Sequence, residues 1–273
     1  LGGGYRKYFY HRLVAQKKYS IDMVGSKGDG NASVTVDGEN WIYDNANNGY
    51  IGYYIQKAYN NNGLLELIRD EENTKDIIKN TSPEIVLLLI GTNDIMGNYD
   101  VNNIQIRLQT LVDEIYRQKS DVTLMIMSPP PINRSDSTGY WLPNQSTLDG
   151  NIKIYKEAIQ NIVASEKAAG KKCEYLATNE LFTKQTDYTA YLNDYCHPNE
   201  AGYKLMGDYL ADVVDSYLRT GSVNVDSSTE TTTAETNISG LPSDFTTNPS
   251  AYQLVGTYSV TAAQNWTLSI PNL

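Results

Sequence analysis

Apolar residues along this chain fall into two kinds of pattern. Four short runs are nearly continuous: I-D-M-V-G at 21–25, E-I-V-L-L-L-I at 84–90, V-T-L-M-I-M-S at 122–128 and C-E-Y-L-A at 173–177. The second and third are aliphatic at almost every position, as in strands covered on both faces of a parallel sheet. Around these runs the apolar residues recur at helical spacing, over 5–16, 102–119, 147–170 (which ends on Gly170) and 199–220. Strands alternating with helices predict right-handed βαβ crossovers. The expected fold is therefore α/β, a flavodoxin-like parallel sheet inside a three-layer α/β/α sandwich.

The pattern breaks after Arg219. Residues 221–250 contain no Lys or Arg, one aromatic residue and many Ser and Thr. Such a composition buries too little apolar surface to fold, so 220–250 reads as an extended linker after a domain at 1–219. From Ala251 to Leu273 alternation returns with β-branched and aromatic residues, as at the start of a β-sandwich. The chain opens on L-G-G-G-Y-R without an initiating Met and stops at S-I-P-N-L in mid-pattern. It reads as a piece of a longer polypeptide, so a missing leader says nothing of location.

Composition narrows the possibilities. A formal charge of −10 repels a phosphate backbone, and no nucleic-acid partner is expected. The run I-V-L-L-L-I at 85–90 is too short to cross a bilayer, so no membrane insertion is expected. Cys173 and Cys196 make no disulfide framework, and without paired C-x-x-C motifs or a three-His set no structural zinc and no cofactor are expected. His11, in a helix that also carries Arg6, Lys7 and Arg12, reads as a solvated surface residue, and Ser33 as part of a loop rich in Gly, Asp and Asn.

In an open parallel sheet, ligands sit beyond the carboxyl ends of the strands. Three polar stretches fall there: G-T-N-D at 91–94, S-P-P-P-I-N-R-S at 128–135, and D-Y-C-H-P-N at 194–199 ahead of the last helix. A fourth, N-N-G-Y-I-G-Y-Y-I at 47–55, lies between the first two strands and offers Gly49 and Gly52. Together they suit acyl transfer. An aspartate three residues before a histidine can hold one ring nitrogen and leave the other to take a hydroxyl proton. Asn93 can offer an amide donor to a developing oxyanion, and Gly52 a backbone N–H without a crowding Cβ. Tyr140 and Trp141 could present flat faces to a sugar.

Each feature taken singly has a plainer reading. Asp194 can tie a turn, Asn93 or Asp94 can cap a helix, Gly52 can relieve packing, Tyr140 and Trp141 can anchor a long loop, and Cys196 can be a half-buried thiol. Their order along one predicted sheet is what favours a site. A nucleotide-binding domain is disfavoured, because none of the four strands leads into a phosphate-binding loop.

Gly91-Thr92-Asn93-Asp94 followed by Asp194-Tyr195-Cys196-His197-Pro198 resembles the SGNH (GDSL-type) hydrolase family, in particular bacterial carbohydrate acetyl esterases, over roughly residues 1–218. The resemblance implies that Asp194 and His197 are triad acid and base, that Asn93 is an oxyanion donor, and that Gly52, with Gly49 as competitor, is a second. It implies an acylated carbohydrate as substrate. The family's first block, G-D-S with its serine nucleophile, does not occur here. Because Gly3-Gly4-Tyr5-Arg6 is similar to the segment that follows that block, the serine and the first strand of the sheet are expected upstream of Leu1, and these 273 residues alone are expected to be inactive. The last twenty or so residues are similar to the start of a collagen-adhesin B-type repeat of Gram-positive surface proteins. That implies further domains and a secreted or wall-attached bacterial protein. The alternative is a catalytically silent adhesion module on the same fold.

Overall fold

A computed structural model describes residues 3–28, 31–36, 38–69, 77–134 and 141–223. The expected linker beyond Val223 and the strand-rich tail at 251–273 lie outside the described residues.

Helix α1 (Tyr5–His11) continues into a π-helical turn, Arg12–Gln16. A hairpin, β1 (Asn31–Val36) and β2 (Glu39–Asp44), follows. Short helices α2 (Leu64–Arg69) and α3 (Ile77–Thr81) lead to β3 (Ile85–Leu88), α4 (Thr92–Met96) and α5 (Ile104–Gln118). Then come β4 (Thr123–Met127), α6 (Gln145–Ala168), β5 (Cys173–Leu176), α7 (Thr178–Thr183) and α8 (Glu200–Thr220).

Strands β3, β4 and β5 form a parallel sheet in that order, with Leu87 opposite Met125 and Ile126 opposite Tyr175. The two-residue period of β4 divides the core. Leu124 and Ile126 join Leu88 and Ile90 in a cluster with Leu108, Leu111 and Ile115 of α5 and Ile152, Tyr155 and Ile159 of α6. Met125 and Met127 join the opposite cluster with Phe9, Leu181, Met206, Tyr209 and Leu210. All five residues of β4 are buried, as the aliphatic run predicts for a central parallel strand. The expected α/β class, with helices on both faces of a parallel sheet, is observed.

Three expectations are corrected. Residues 21–25 form no ladder. Ile21 and Met23, like Ile85, Leu87 and Leu89, are partly buried against the cluster of Met125 and Met127. But the Met23 N–H donates to the Asp44 carboxylate (2.8 Å) rather than to a strand carbonyl, and partly buried apolar side chains without paired backbone are no strand. Ser33 lies in a hairpin, not a loop: Val36 pairs with Glu39, leaving Asp37-Gly38 as a two-residue connection, and Asp-Gly between alternating apolar residues is a strong hairpin signal. The hairpin also explains His11. Its ring meets Trp41 of β2 edge-on at 4.6 Å, beside a small core of Tyr8, Val34, Val36 and Tyr43, so the residue is buried rather than solvated.

Candidate active site

The stretch after β3 is built on Gly91, whose φ of +97° no β-substituted residue adopts without strain, and a Cβ there would lie 2.4 Å from the ring of buried Tyr155. Tyr155 in turn donates its hydroxyl to the Ile90 carbonyl at 2.9 Å. Gly91→Ala is accordingly expected to destabilise the protein by about 2–4 kcal/mol, from left-handed strain and overpacking together. The urea midpoint reads this out directly.

Just past that glycine, α4 presents Asn93 and Asp94 in opposite roles. Asn93 Nδ2 donates to the Tyr53 carbonyl at 2.9 Å. Asp94 is fully buried and accepts the Ile55 N–H at 3.1 Å while forming an ion pair with Arg107 of α5. The Arg107 guanidinium also donates to the Tyr99 carbonyl (2.8 Å) and lies over the Tyr99 ring. Burial raises the Asp94 carboxyl above the ordinary aspartate range, an effect that Arg107 and the Ile55 N–H only partly offset. Asp94 thus does more than cap a helix: with Asn93 it ties the segment 53–55 to α4. Sequence reading missed Arg107, because no local spacing rule links positions 94 and 107 across two helices.

Gly52 stands one residue before Tyr53 with φ +78°, and open space lies where a Cβ would be. Its competitor Gly49 already donates its N–H to Asn47 Oδ1 at 2.9 Å. Among the described residues nothing accepts the N–H of Gly52.

The segment 193–199 forms a tight turn. Asn193 N–H donates to the His197 carbonyl at 2.7 Å, and Asp194 Oδ1 accepts the N–H groups of Cys196 (2.9 Å) and His197 (2.8 Å). Folded this way, the carboxylate reaches the imidazole: Asp194 Oδ2 lies 2.8 Å from His197 Nδ1. The structure therefore brings Asp194 and His197 together as the three-residue spacing predicts. Burial pushes the Asp194 carboxyl up, but the two backbone donors and the imidazole outweigh it, and the net shift is downward. Asn199 caps α8 by accepting the Gly202 N–H (3.0 Å) and donates to the Ala190 carbonyl (2.8 Å), holding the turn from its far side.

The turn is fastened to the loop after β4, where the Asn133 N–H donates to the Tyr195 carbonyl at 2.8 Å. Cys196 is buried and shares a core cluster with Ile90, Ile95 and Ile132, correcting the expectation of a half-buried thiol. Trp141 is 52% exposed and meets Tyr195 edge-on at 5.7 Å, while Tyr195 lies beside the His197 ring. Tyr140 lies outside the described residues. Among the described residues the His197 ring has two side-chain partners, Asp194 and the Cys196 sulfur, so Nε2 is left without an oxygen or nitrogen partner.

An imidazole held by a carboxylate, on a loop beyond a parallel α/β sheet, is the pairing that acyl hydrolases of the Ser-His-Asp plan use. Residues 33–205, from the hairpin into α8, match the GDSL-like lipase/acylhydrolase family, and the chain belongs to that family. It is 30% identical over 223 residues to a multidomain esterase of Ruminococcus flavefaciens, covering 80% of this chain and 27% of that protein's length. A family 3 carbohydrate esterase of Clostridium thermocellum superposes with a TM-score of 0.56 at 26% identity, covering 81% of this chain and 92% of that one. A carbohydrate esterase family 3 structure from Talaromyces cellulolyticus shares the fold, with a TM-score of 0.57 at 17% identity over 79% of this chain and 91% of that one.

Proposed function

We propose that this chain is the greater part of the catalytic domain of a serine esterase that removes short acyl groups, acetyl foremost, from carbohydrate. The observation that carries the reading is the 2.8 Å contact between Asp194 Oδ2 and His197 Nδ1, which orients the ring and leaves Nε2 for a hydroxyl proton. The names of the relatives, a multidomain esterase and a carbohydrate esterase, support both the reaction and the substrate class.

In this reading a serine on a segment preceding Leu1 attacks the ester carbonyl, and His197 Nε2 takes its proton. The Gly52 N–H and the free hydrogen of the Asn93 amide hold the oxyanion. His197 then protonates the departing sugar hydroxyl. Water repeats the sequence on the acyl-serine and releases the acid. Trp141 offers the sugar its exposed face. The Ser/Thr-rich composition at 221–250 supports a catalytic unit tethered to further domains of a secreted or wall-attached bacterial protein.

The test uses the protein extended at its N-terminus to include the serine. It is expected to release acetate from acetylated xylan, and the 273-residue chain is expected to release none at an enzyme-like rate. Asn93→Ala in the extended protein is expected to lower kcat by about 10²- to 10³-fold with little change in KM. Turnover unaffected by that substitution removes Asn93 from the oxyanion site.

A further inference from the structure

The turn that holds the imidazole also carries a sulfur. Cys196 Sγ lies 3.5 Å from His197 Nδ1, which is itself 3.1 Å and 2.8 Å from the two Asp194 oxygens. The three ligand atoms, one from each residue, all fall within 4.8 Å of one another. We propose that Asp194, Cys196 and His197 form a binding site for a thiophilic divalent cation, with Zn²⁺ the representative ion, and that its occupancy switches the catalytic base off.

The spacing fits. A tetrahedral zinc with bonds of about 2.0–2.1 Å to nitrogen and oxygen and about 2.3 Å to sulfur sets N and S about 3.5 Å apart and N and O about 3.4 Å apart. The N–S separation already matches; the carboxylate has to open from the nitrogen by a few tenths of an ångström, and its oxygen and the sulfur, within 4.8 Å of each other, have to come to about 3.6 Å. One nitrogen, one oxygen and one sulfur select a borderline-soft ion such as zinc over magnesium or calcium, which take oxygen ligands. The donors are preorganised, since Asp194 Oδ1 binds two N–H groups of its own turn. The side chains of His197 and Asp194 are 56% and 32% exposed, which gives the ion an entry path and a fourth position for water.

The protons balance. Burial, with the nearby Asp194 charge second, pushes the Cys196 thiol up to about 12, so it enters as S–H and the metal must displace that proton to solvent. Nδ1 must also be bare to ligate, so the imidazole proton passes through solvent from Nδ1 to Nε2. The net change is one cation bound and one proton released, with the imidazole still neutral. Nε2, now carrying hydrogen, accepts none. This loss of base function rests on the esterase reading; the binding does not.

The experiment titrates Zn²⁺ into the tag-free 273-residue chain against a chromophoric chelator, and Co²⁺ in parallel to look for a sulfur-to-metal charge-transfer band. One ion per chain is expected, with the band present. Affinity should fall at least tenfold in Cys196→Val, which keeps an apolar side chain in the core, and in the exposed variant His197→Ala. Binding that neither variant weakens, or that only His197→Ala weakens, overturns the proposal, as does absence of binding at millimolar Zn²⁺. In the extended protein the same ion is expected to inhibit acetate release. Site-specific binding to an extended protein that hydrolyses no ester would leave the cation site standing while overturning its catalytic role.

Discussion

His197→Ala, made in the protein extended to carry its serine, is expected to lower kcat by roughly 10⁴- to 10⁶-fold while KM changes by a small factor. The size follows from the two tasks the proposed mechanism gives the imidazole, taking the serine proton and later returning it to the sugar oxygen; the other histidine of these 273 residues, His11, is packed against Trp41 of the hairpin. Asp194→Asn should cost about 10⁴-fold, since an amide in place of the carboxylate favours the wrong tautomer. His197 is exposed and, among the described residues, Asp194 ties only its own turn, so neither loss should be accompanied by unfolding. Full activity in His197→Ala would contradict the assignment of the base.

The largest effect on stability is expected at Arg107. Arg107→Met leaves the carboxylate of Asp94, fully buried, without its cation, and breaking one half of a buried pair costs about 3–5 kcal/mol. Against a typical domain stability of about 5–15 kcal/mol, that is a large share. The double variant Asp94→Leu/Arg107→Met should recover part of it, because an apolar pair no longer demands desolvated charge. The damage should spread to the site. Asp94 holds the Ile55 N–H, two residues from the Tyr53 carbonyl that engages Asn93, so amide exchange at Ile55 should rise in Arg107→Met. A loss under about 1 kcal/mol in urea titration would show that the pair does not hold the segment.

What could be read from the sequence was what local pattern controls. The aliphatic runs at 84–90 and 122–128 became β3 and β4 because a fully buried parallel strand leaves a continuous apolar signature. Asp194 and His197 meet because a three-residue turn leaves them little choice. Position 21–25 failed for the complementary reason: Ile21 and Met23 are apolar and partly buried, but whether a backbone pairs depends on a neighbour elsewhere in the chain, here the Asp44 carboxylate. The hairpin at 31–44 was readable from Val36-Asp-Gly-Glu39 and was missed, and His11 was misjudged with it, since Trp41 of that hairpin packs on its ring. Arg107 and the burial of Cys196 were not readable at all. Both are set by contacts between distant segments, and composition alone makes an arginine in an amphipathic helix look solvated.

The most direct test is phosphonylation of the extended protein by a fluorophosphonate ester, with the modified residue located by mass spectrometry and the rate compared in His197→Ala. A base held by Asp194 and poised on a serine outside residues 1–273 predicts one adduct, on a serine preceding Leu1, whose formation slows by orders of magnitude in the variant. An adduct on a serine within these 273 residues, or one that forms equally fast without the imidazole, would contradict it.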